Sequence, residues 1–452
     1  MYKTRALAML ATTVAAACHS YSPAPVDLRR HALEFAARLP DPATLAAFGA
    51  DAPLGAQIDL QDGIDLREAR LLAVLLNPDC RLARLRAGVA RIERDHAGRW
   101  VDPELGGDFS RILEDVAHPW LAAGHIALTL PLNGRLGLER DLADTHHRTA
   151  RLAARVAEAR TENQLDAAWV GWSAAQQRVG LLREQIERLR QLETIATTLG
   201  NAGTLTQLAV RAFPLERLQR EGELGLAEAA LATAELAIKQ LLGLHPEAPV
   251  RFLPALAIDA HVEAGQRAQR LFTSPRLLLL QGAHDAAEAA LALAVRKQWP
   301  DLVLRPGFEE EDAQPRLALG FSLPIPLFSG NDAEIYRAEA ERDLQALVLR
   351  NGYEALVQEL AADELHLAAT LRQRALIDTE LLPLARQQVA DGRRLAELGQ
   401  LEPLLILDAL TRAHQAEVMA LDAKLAEAQA TIAINSLFWS ETTTNPAAET
   451  NR

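Results

Sequence analysis

The adjacent histidines His146 and His147 are the residues best suited by type to bind a metal ion. They lie in a helix-forming stretch, where successive side chains point about 100° apart, so the two imidazoles suit a single metal poorly. No glycine-rich phosphate loop precedes a basic residue, and no nucleophile elbow occurs. The sequence therefore predicts a structural or solvated role for the pair, and neither enzyme activity nor a cofactor.

Cys18 is the next residue whose surroundings suggest chemistry. It follows the basic start MYKTR and the apolar stretch ALAMLATTVAAA, in the order typical of a secretory signal. The pattern predicts cleavage before Cys18 and attachment of lipid to its thiol; a plain signal peptide cut nearby is the alternative. Since an acylated Cys18 leaves Cys80 without a partner, no disulfide is expected.

The composition favours long packed helices over an aromatic-rich globule. Among 452 residues, 49% are apolar but only 4% are aromatic, and Ala and Leu dominate the apolar set. The formal net charge of −13 argues against a nucleic-acid binder held by phosphate contacts. No uncharged run approaches the ~18 apolar residues of a membrane-spanning helix, whereas short alternating strands are compatible with a spanning barrel.

Several prolines and glycines recur along the chain at a nearly constant offset. The offset is 197 for Pro78 with Pro275 and for Pro103 with Pro300, and 195, 196 and 199 for Pro131 with Pro326, Gly134 with Gly330, and Gly200 with Gly399. Such agreement predicts two copies of a unit of about 200 residues, as in a tandem repeat.

Each copy is predicted to contain the same elements in the same order. These are a helix (77–100 or 274–298), a strand pair (104–113 with 125–130, or 301–308 with 316–323), a long helix (133–199 or 331–398) and a returning helix (204–242 or 402–439). At 1.5 Å per residue each long helix would span about 100 Å. Pro214 and Pro383 fall inside these helices and predict kinks, or alternatively a break into separate helices.

The predicted strands alternate between large apolar and small side chains. In the last strand Leu317, Leu319, Phe321 and Leu323 share one face, opposite Ala318, Gly320 and Ser322. This pattern is typical of a lipid-facing barrel around water, which several chains contributing four strands each could close. A soluble sandwich is the alternative.

The pairs Pro131 with Gly134 and Pro326 with Gly330 mark hinges from strand to helix. Trp100 and Trp299 fall at helix–strand junctions, where they are either interfacial or core residues.

Three stretches, in order, resemble the TolC-like outer-membrane efflux channels over residues 64–439. They are GIDLREARLLAVLLNPDCRLARLRAGVARI, FSLPIPLFSGNDAEIYRAEAERD and LLPLARQQVADGRRLAELGQLEPLLILDALTRAHQAE. The resemblance implies a homotrimer with a 12-stranded barrel in the outer membrane and a 12-helix periplasmic tunnel. It also implies docking to a periplasmic adaptor and an inner-membrane transporter. PIPLFSGNDAEI and LRRHALEFAARLPDPATLAAF are more similar to the heavy-metal branch, although Gly330 and Asp332-Ala333 replace that branch's usual basic residue and Gln-Gly.

The resemblance also implies two functional regions at the far end of the long helices. The tips Leu199-Gly200-Asn201 and Leu398-Gly399-Gln400 would dock the adaptor; a helix-ending glycine without a partner is the alternative. Asp408, with Glu402 and Arg412 as lesser candidates, would narrow the pore and bind cations, unless Asp408 is simply a solvated helix charge. Many relatives carry a further acidic residue three positions earlier, where this chain has Leu405.

The predicted fold is therefore mainly α with a small β part. Glu309, Glu310, Glu311 and Asp312 are expected in a hairpin turn at the outer mouth. The predicted parts are a signal peptide (1–17), an anchored N-terminal segment (18–63), the first repeat (64–250), a linker (251–272), the second repeat (273–440) and a disordered tail (441–452). A trimeric exit duct is the favoured function, and a secreted helical scaffold or adaptor without a pore is the alternative.

Overall fold

The computed structural model describes residues 21–40, 62–114, 119–311, 314–328, 330–397 and 402–440. Several predictions concern residues outside these ranges: the signal peptide, the lipid anchor Cys18, the second tip Leu398, Gly399 and Gln400, and the tail. They stay predictions.

The described chain is mainly helical, with one small sheet. In chain order its elements are α1 (Leu28–Ala36), α2 (Leu66–Leu76), α3 (Pro78–His96), β1 (Glu104–Arg111), β2 (Trp120–Leu130), α4 (Arg135–Asn201), α5 (Gln207–Leu241), α6 (Pro275–Arg296), β3 (Leu302–Glu311), β4 (Gln314–Ser322), α7 (Asp332–Leu376), a π-helical turn (Ile377–Leu381), α8 (Leu382–Glu397) and α9 (Pro403–Asn435). Short helical turns fill Ala264–Gln266, Arg267–Arg270 and Leu271–Thr273. The order short helix, two strands, long helix, returning helix thus occurs twice.

Local sequence signals account for the starts of the shorter helices. Asp65 caps α2 by accepting a hydrogen bond from the Glu68 amide, and the Glu68 carboxylate accepts one from the Asp65 amide, which completes a capping box. Asn77 caps α3, whose first residue is Pro78, where a missing N–H costs nothing.

The sheet has the strand order β1-β2-β3-β4, and every neighbouring pair is antiparallel. Register pairs include Leu105 with Ile126, Leu128 with Leu304, and Leu304 with Phe321. In both hairpins the predicted turn is longer than the observed one. β2 begins at Trp120, and Glu309, Glu310 and Glu311 lie in β3 rather than in the turn, because pairing with β4 extends as far as Gln314.

Two apolar cores lie near the middle of the long helices. The first joins α2, α4 and the end of α5, and it contains Trp169, Trp172 and Phe252 in edge-to-face contact with ring centroids 5.3 to 5.8 Å apart. The second joins α6, α7 and the end of α9 around Leu356 and Phe438. Each long helix therefore packs firmly at mid-height.

The two prolines inside the returning and descending helices have different consequences. α5 continues through Pro214 without a break. By contrast, Pro383 lies two residues after the end of the π-helical turn Ile377–Leu381, which separates α7 from α8 in one continuous helical path. A widened turn is a common way to accommodate a residue that cannot donate a backbone hydrogen bond. The break alternative is wrong at both positions.

One helical stretch, Ala264–Arg296, is long and apolar enough to cross a membrane by length and composition alone. Its main helix, α6, packs closely on both long helices. A Cβ on Gly282 would lie 2.8 Å from Thr149 Oγ1 of α4, and one on Gly352 of α7 would lie 2.3 Å from Leu280 Cδ1. We therefore assign α6 to the helical part of the fold, packed against α4 and α7.

Candidate functional site

The sheet carries large apolar side chains on one face and mostly small or polar side chains on the other. One face carries large apolar residues, and most of them are exposed to solvent, including Phe109 at 83% and Leu317 at 90%. Their alternation along each strand and their register across strands place the following residues together: Leu105, Phe109, Ile126, Leu128, Leu304, Phe308, Leu317, Leu319, Phe321. The face predicted for the last strand is confirmed and extends over all four strands.

The opposite face is built mostly from small and polar residues, with Leu121 and Val303 as its large apolar members. It carries Glu104, Asp108, Ser110, Ala123, His125, Thr129, Arg305, Glu309, Arg316, Ala318, Gly320, Ser322. His125 is accommodated between two glycines of the neighbouring strands. A Cβ on Gly106 would lie 2.5 Å from its Nε2, and one on Gly307 would lie 3.1 Å from its Cβ. These glycines leave the room that the imidazole fills.

Both outer strands of the sheet have a free edge. β1 pairs with β2 alone and β4 pairs with β3 alone among the described residues. An edge strand presents backbone N–H and C=O groups that can pair with another strand. The sheet is therefore open at both ends of its strand order, and one of its faces is apolar and exposed.

The two strand-to-helix hinges share an unusual local geometry. The Leu132 amide donates a hydrogen bond to the Leu130 carbonyl across Pro131, at 3.0 Å, and the Leu327 amide donates to the Ile325 carbonyl across Pro326, at 2.8 Å. Such three-residue turns suit proline, whose φ is already fixed. Both predicted hinge prolines thus reverse the chain in the same way.

Residues in the left-handed backbone conformation precede both long helices. Gly134, with φ of 76°, precedes α4, whereas Gly330 (φ 46°) and Asn331 (φ 65°) precede α7. The predicted hinge glycines are therefore both needed for their backbone conformations.

Polar side chains tie these hinges to the ends of the short helices. Asn331 Nδ2 donates to the Ala294 carbonyl at 2.9 Å, and Asn133 Nδ2 donates to the Trp299 carbonyl at 2.5 Å. Arg135 forms an ion pair with Asp301 at 2.9 Å, so the hinge of the first unit is bonded to the helix–strand junction of the second. Sequence reasoning missed Arg135 and Asp301, because 166 positions separate them and neither lies in a motif.

Trp100 and Trp299 lie at the helix–strand junctions, as predicted. Their exposed fractions are 62% and 66%, so they are not core residues. They lie at the base of the sheet, where it meets the helices.

The backbone at the first tip corrects one prediction. Gly200 lies within α4 and does not make the turn; Gly203, with φ of 74°, does. The Thr204 amide donates to the Leu199 carbonyl at 2.9 Å, which closes the helix end around Gly203. Gly200 instead lets α5 approach, since a Cβ there would lie 2.6 Å from Val210 Cγ2. The signal for Gly203 was its place three residues before the N-cap threonine Thr206.

At the second tip the described structure resumes at Glu402. This residue is exposed and precedes α9, and its side chain does not cap the helix. Asp408 and Arg412 lie on the exposed side of α9 and pair with each other, with 2.8 Å between Oδ2 and Nε. Leu404 and Leu405, on the same side, are 63% and 59% exposed. Asp408 and Arg412 therefore lie on one exposed stripe of α9, on which part of the Asp408 charge is balanced within the chain, whereas Glu402 precedes the helix.

His414 lies on the buried side of the same helix. It is 4% exposed, its Nδ1 has no hydrogen-bond partner among the described residues, and it lines a cavity of about 610 Å³ between α4, α5 and α9. Burial, followed by the nearby Arg220 guanidinium, lowers the pKa of this histidine. No sequence signal distinguished it from the other histidines.

The adjacent histidines His146 and His147 lie in different surroundings. His146 is exposed, whereas His147 is buried, with its Nδ1 3.2 Å from an Arg94 guanidinium nitrogen. Burial lowers the pKa of His147. No cluster of three or more metal-ligating side chains occurs in the part of the chain that the structure describes.

Solved structures with the same architecture are found among outer-membrane channel proteins. CusC has a TM-score of 0.71 and 17% identity, covering 85% of this chain and 95% of its own. VceC, an outer membrane protein of Vibrio cholerae, has a TM-score of 0.68 and 15% identity, with coverages of 83% and 96%. The chain has the TolC-like fold. The MtrE outer membrane channel of Neisseria gonorrhoeae, in its open state, gives a TM-score of 0.67 at 16% identity, covering 82% of this chain and 88% of that one.

Sequence comparison adds nothing to this likeness. No protein-family model matches the chain, and no curated protein matches it. The likeness to these structures is therefore one of fold, shared over most of the chain.

Proposed function

We propose that three copies of this chain form an outer-membrane channel that serves as the exit duct of a tripartite efflux pump. The observation that carries the proposal is the sheet, whose exposed apolar face and small polar face continue directly into two very long helices. A contiguous apolar surface of this kind marks contact with a membrane or another protein.

The dimensions of the strands suit a bilayer. β1 to β4 contain 8, 11, 10 and 9 residues. A spanning strand tilted by ~45° needs about 9 to 11 residues. Four strands cannot close on themselves, but pairing β4 of one copy with β1 of the next would use both free edges and close a 12-stranded barrel around the polar face.

The helices also leave surface for further copies. In α7, which has 45 residues, only Gly352, Leu356, Leu360 and Thr370 are buried. Its apolar residues Leu344, Leu347 and Leu365 are 51%, 53% and 73% exposed. A long helix gains most of its stability from packing, so lateral contacts with neighbouring copies would complete it. α4 has 67 residues, which corresponds to a tunnel wall about 100 Å long.

The remaining features of the proposed duct come from the resemblance and the sequence. The two tips would dock a periplasmic adaptor and, through it, an inner-membrane transporter, and Cys18 would carry the lipid anchor. Heavy-metal cations or drugs are the proposed cargo. The hinge resembles the heavy-metal branch but departs from it at Gly330 and Asp332-Ala333, so it does not decide between them. The chain itself would perform no chemistry.

The first test is the mass and shape of the protein extracted from outer membranes in mild detergent. The proposal predicts an elongated trimer about 140 Å long, from ~100 Å of helix plus the barrel. A monomer in the soluble periplasmic fraction would contradict it and favour the scaffold without a pore.

A pair of neighbouring substitutions tests the two faces of the sheet. Leu319→Arg places a charge on the apolar face, at a cost of about 2–4 kcal/mol in mid-membrane, and we expect it to reduce the amount of trimer recovered from membranes. Ala318→Arg, one residue away on the polar face, should insert normally and change only conductance. Equal losses for both variants would count against a lipid-facing sheet.

A further inference from the structure

We propose that Arg111 and Trp120 form a binding site for the phosphate group of a membrane lipid. The inference rests on the proposed membrane location of the sheet. The two residues are register partners at the end of β1 and the start of β2. They therefore lie at the end of the strands that is farthest from the long helices. The Arg111 guanidinium carbon lies 5.5 Å from the centroid of the Trp120 ring.

Arg111 is in an unusual position for a charged side chain. By register it belongs to the apolar face, where Arg111 and Glu310 are the only charged residues in the described strands. Glu310 lies across β2, opposite Ala122, and forms no ion pair with Arg111. Arg111 makes no ion pair with any described carboxylate, and its side chain is exposed. The guanidinium is therefore available to an anion from outside the protein.

The position along the strand fits the boundary of a bilayer. β2 runs ten residue steps from Leu130, at its hinge end, to Trp120. At ~3.4 Å per residue and a tilt of ~45°, these steps rise about 25 Å, the height of the apolar band of a membrane barrel. Arg111 and Trp120 would then lie at the far headgroup level, with Phe109 and Ile126 among the acyl chains.

The chemistry of the pair suits a lipid phosphate. The guanidinium presents a planar set of donors that matches phosphate oxygens, and stacking on an indole ring fixes its orientation. Its aliphatic stem can lie along apolar surface while the charged end reaches the headgroups. Since Phe109 is 83% exposed beside this site, the same ligand must also supply acyl chains. A phospholipid or phosphorylated glycolipid provides both, and free phosphate does not.

The experiment compares lipids retained by the full-length trimer, measured by native mass spectrometry. Protein would be reconstituted with phosphatidylglycerol or with a neutral glycosyl diacylglycerol carrying the same acyl chains, and inorganic phosphate would be added in a separate arm. The variants are Arg111→Ala, Arg111→Lys and, as the matched control on the polar face, Arg305→Ala.

The wild type is expected to retain phosphatidylglycerol in preference to the glycolipid, and Arg111→Ala to reduce that preference about tenfold. Arg111→Lys should fall between them, since it keeps the charge but loses the planar donors, and Arg305→Ala should match the wild type. Equal preference in Arg111→Ala and wild type would overturn the assignment. Full displacement of the lipid by inorganic phosphate would overturn the lipid as ligand, and failure to retain either lipid would contradict the proposed function as well.

Discussion

The two helical hairpins that reach toward the tips are built from the same elements but are held together differently. In the first, formed by the lower parts of α4 and α5, three ion pairs join the helices: Arg183 with Glu228, Arg190 with Glu221, and Arg217 with Glu193, at 2.7, 2.9 and 2.7 Å. Arg217 also pairs with Glu221, so the charges form a network rather than isolated pairs.

In the second hairpin, formed by α8 and α9, the described contacts are fewer and smaller. Arg374 pairs with Glu427 above the π-helical turn, while Arg386 and Glu417 approach only to 4.0 Å below it. The two apolar clusters of this hairpin contain Ile377 and five alanines, and α9 also buries Ile406 and Leu410. The alanines are Ala385, Ala413, Ala416, Ala420, Ala423. In the first hairpin the buried residues include Leu182, Ile186, Leu189 and Phe213.

This difference predicts that the second hairpin moves more easily than the first. Small packed side chains and an ion pair as long as 4.0 Å lower the free energy needed to separate two helices, and a π-helical turn close to Pro383 lowers the cost of bending. If the proposed duct opens at its tips, the first hairpin would keep its structure while the second hairpin bends below Ile377.

The largest effect is expected from removing a large buried side chain of the first hairpin. Leu189 is fully buried at 0% exposure, and Leu189→Ala should lower the free energy of unfolding by about 2–5 kcal/mol, through lost burial and the cavity left behind. The matched variant Ala416→Gly in the second hairpin should cost only about 1 kcal/mol. Denaturant unfolding of both variants in detergent measures the difference, and equal losses would mean that the hairpins are held equally well.

Stiffening the second hairpin should have the next largest effect. Pro383→Ala restores a backbone N–H, so the π-helical turn before it can become regular helix. We expect amide hydrogen exchange in α8 to slow about tenfold, which corresponds to roughly 1.4 kcal/mol of local stability. Pro214→Ala in α5 is the control and should leave exchange in α8 unchanged. Unaltered exchange in Pro383→Ala would remove the π-helical turn from the hinge.

The stability of the region where α9 packs on α4 and α5 is expected to depend on pH. The lowered pKa of His414 means that the unfolded state, with an ordinary value of 6.5, binds the proton more readily than the folded state. Its contribution to stability is therefore present above pH 6.5 and is lost as the pH falls below that value. Arg188 of α4 and Arg220, Glu216 and Glu223 of α5 are the charged groups near the imidazole.

We expect thermal unfolding of the α9 region to shift to lower temperature between pH 6.5 and 5, and His414→Leu to reduce that shift. His146→Leu, which changes an exposed histidine, is the control. A shift that persists unchanged in His414→Leu would assign the acid sensitivity to other groups.

Much of the fold could be predicted because periodicity and repetition are local signals. The alternation from Leu317 to Phe321 predicts one apolar face of a strand. The recurring prolines predict the positions of both hinges. The errors lie where pairing between distant segments decides the outcome. Glu309 to Glu311 look like a turn by composition, but their partners in β4 hold them in a strand.

The candidate sites were less predictable for the same reason. Gly200 was assigned the turn from its place in the repeat, although the backbone conformation belongs to Gly203 and the close helix approach to Gly200. Arg135 with Asp301, and the ion pairs of the first hairpin, join positions between 24 and 166 residues apart. Nothing in the local pattern of either residue reveals such a partner. Asp408 was singled out by resemblance, but its pairing with Arg412 follows from their spacing of four residues on a helix.

The smallest effect is expected from the pair of Asp408 and Arg412. Removing one or the other residue should change block of the channel by cations in opposite directions. Asp408→Ala removes a carboxylate from the proposed constriction and should raise single-channel conductance and weaken block by divalent cations, by about twofold. Arg412→Ala removes the cation 2.8 Å away and exposes the carboxylate, so block should strengthen by a similar factor. Because a solvent-exposed pair contributes little to stability, neither variant should change the unfolding midpoint. Bilayer recordings in which both variants shift block in the same direction, or not at all, would place Asp408 away from the narrowest part of the pore and leave the second hairpin mobile but uncharged at its constriction.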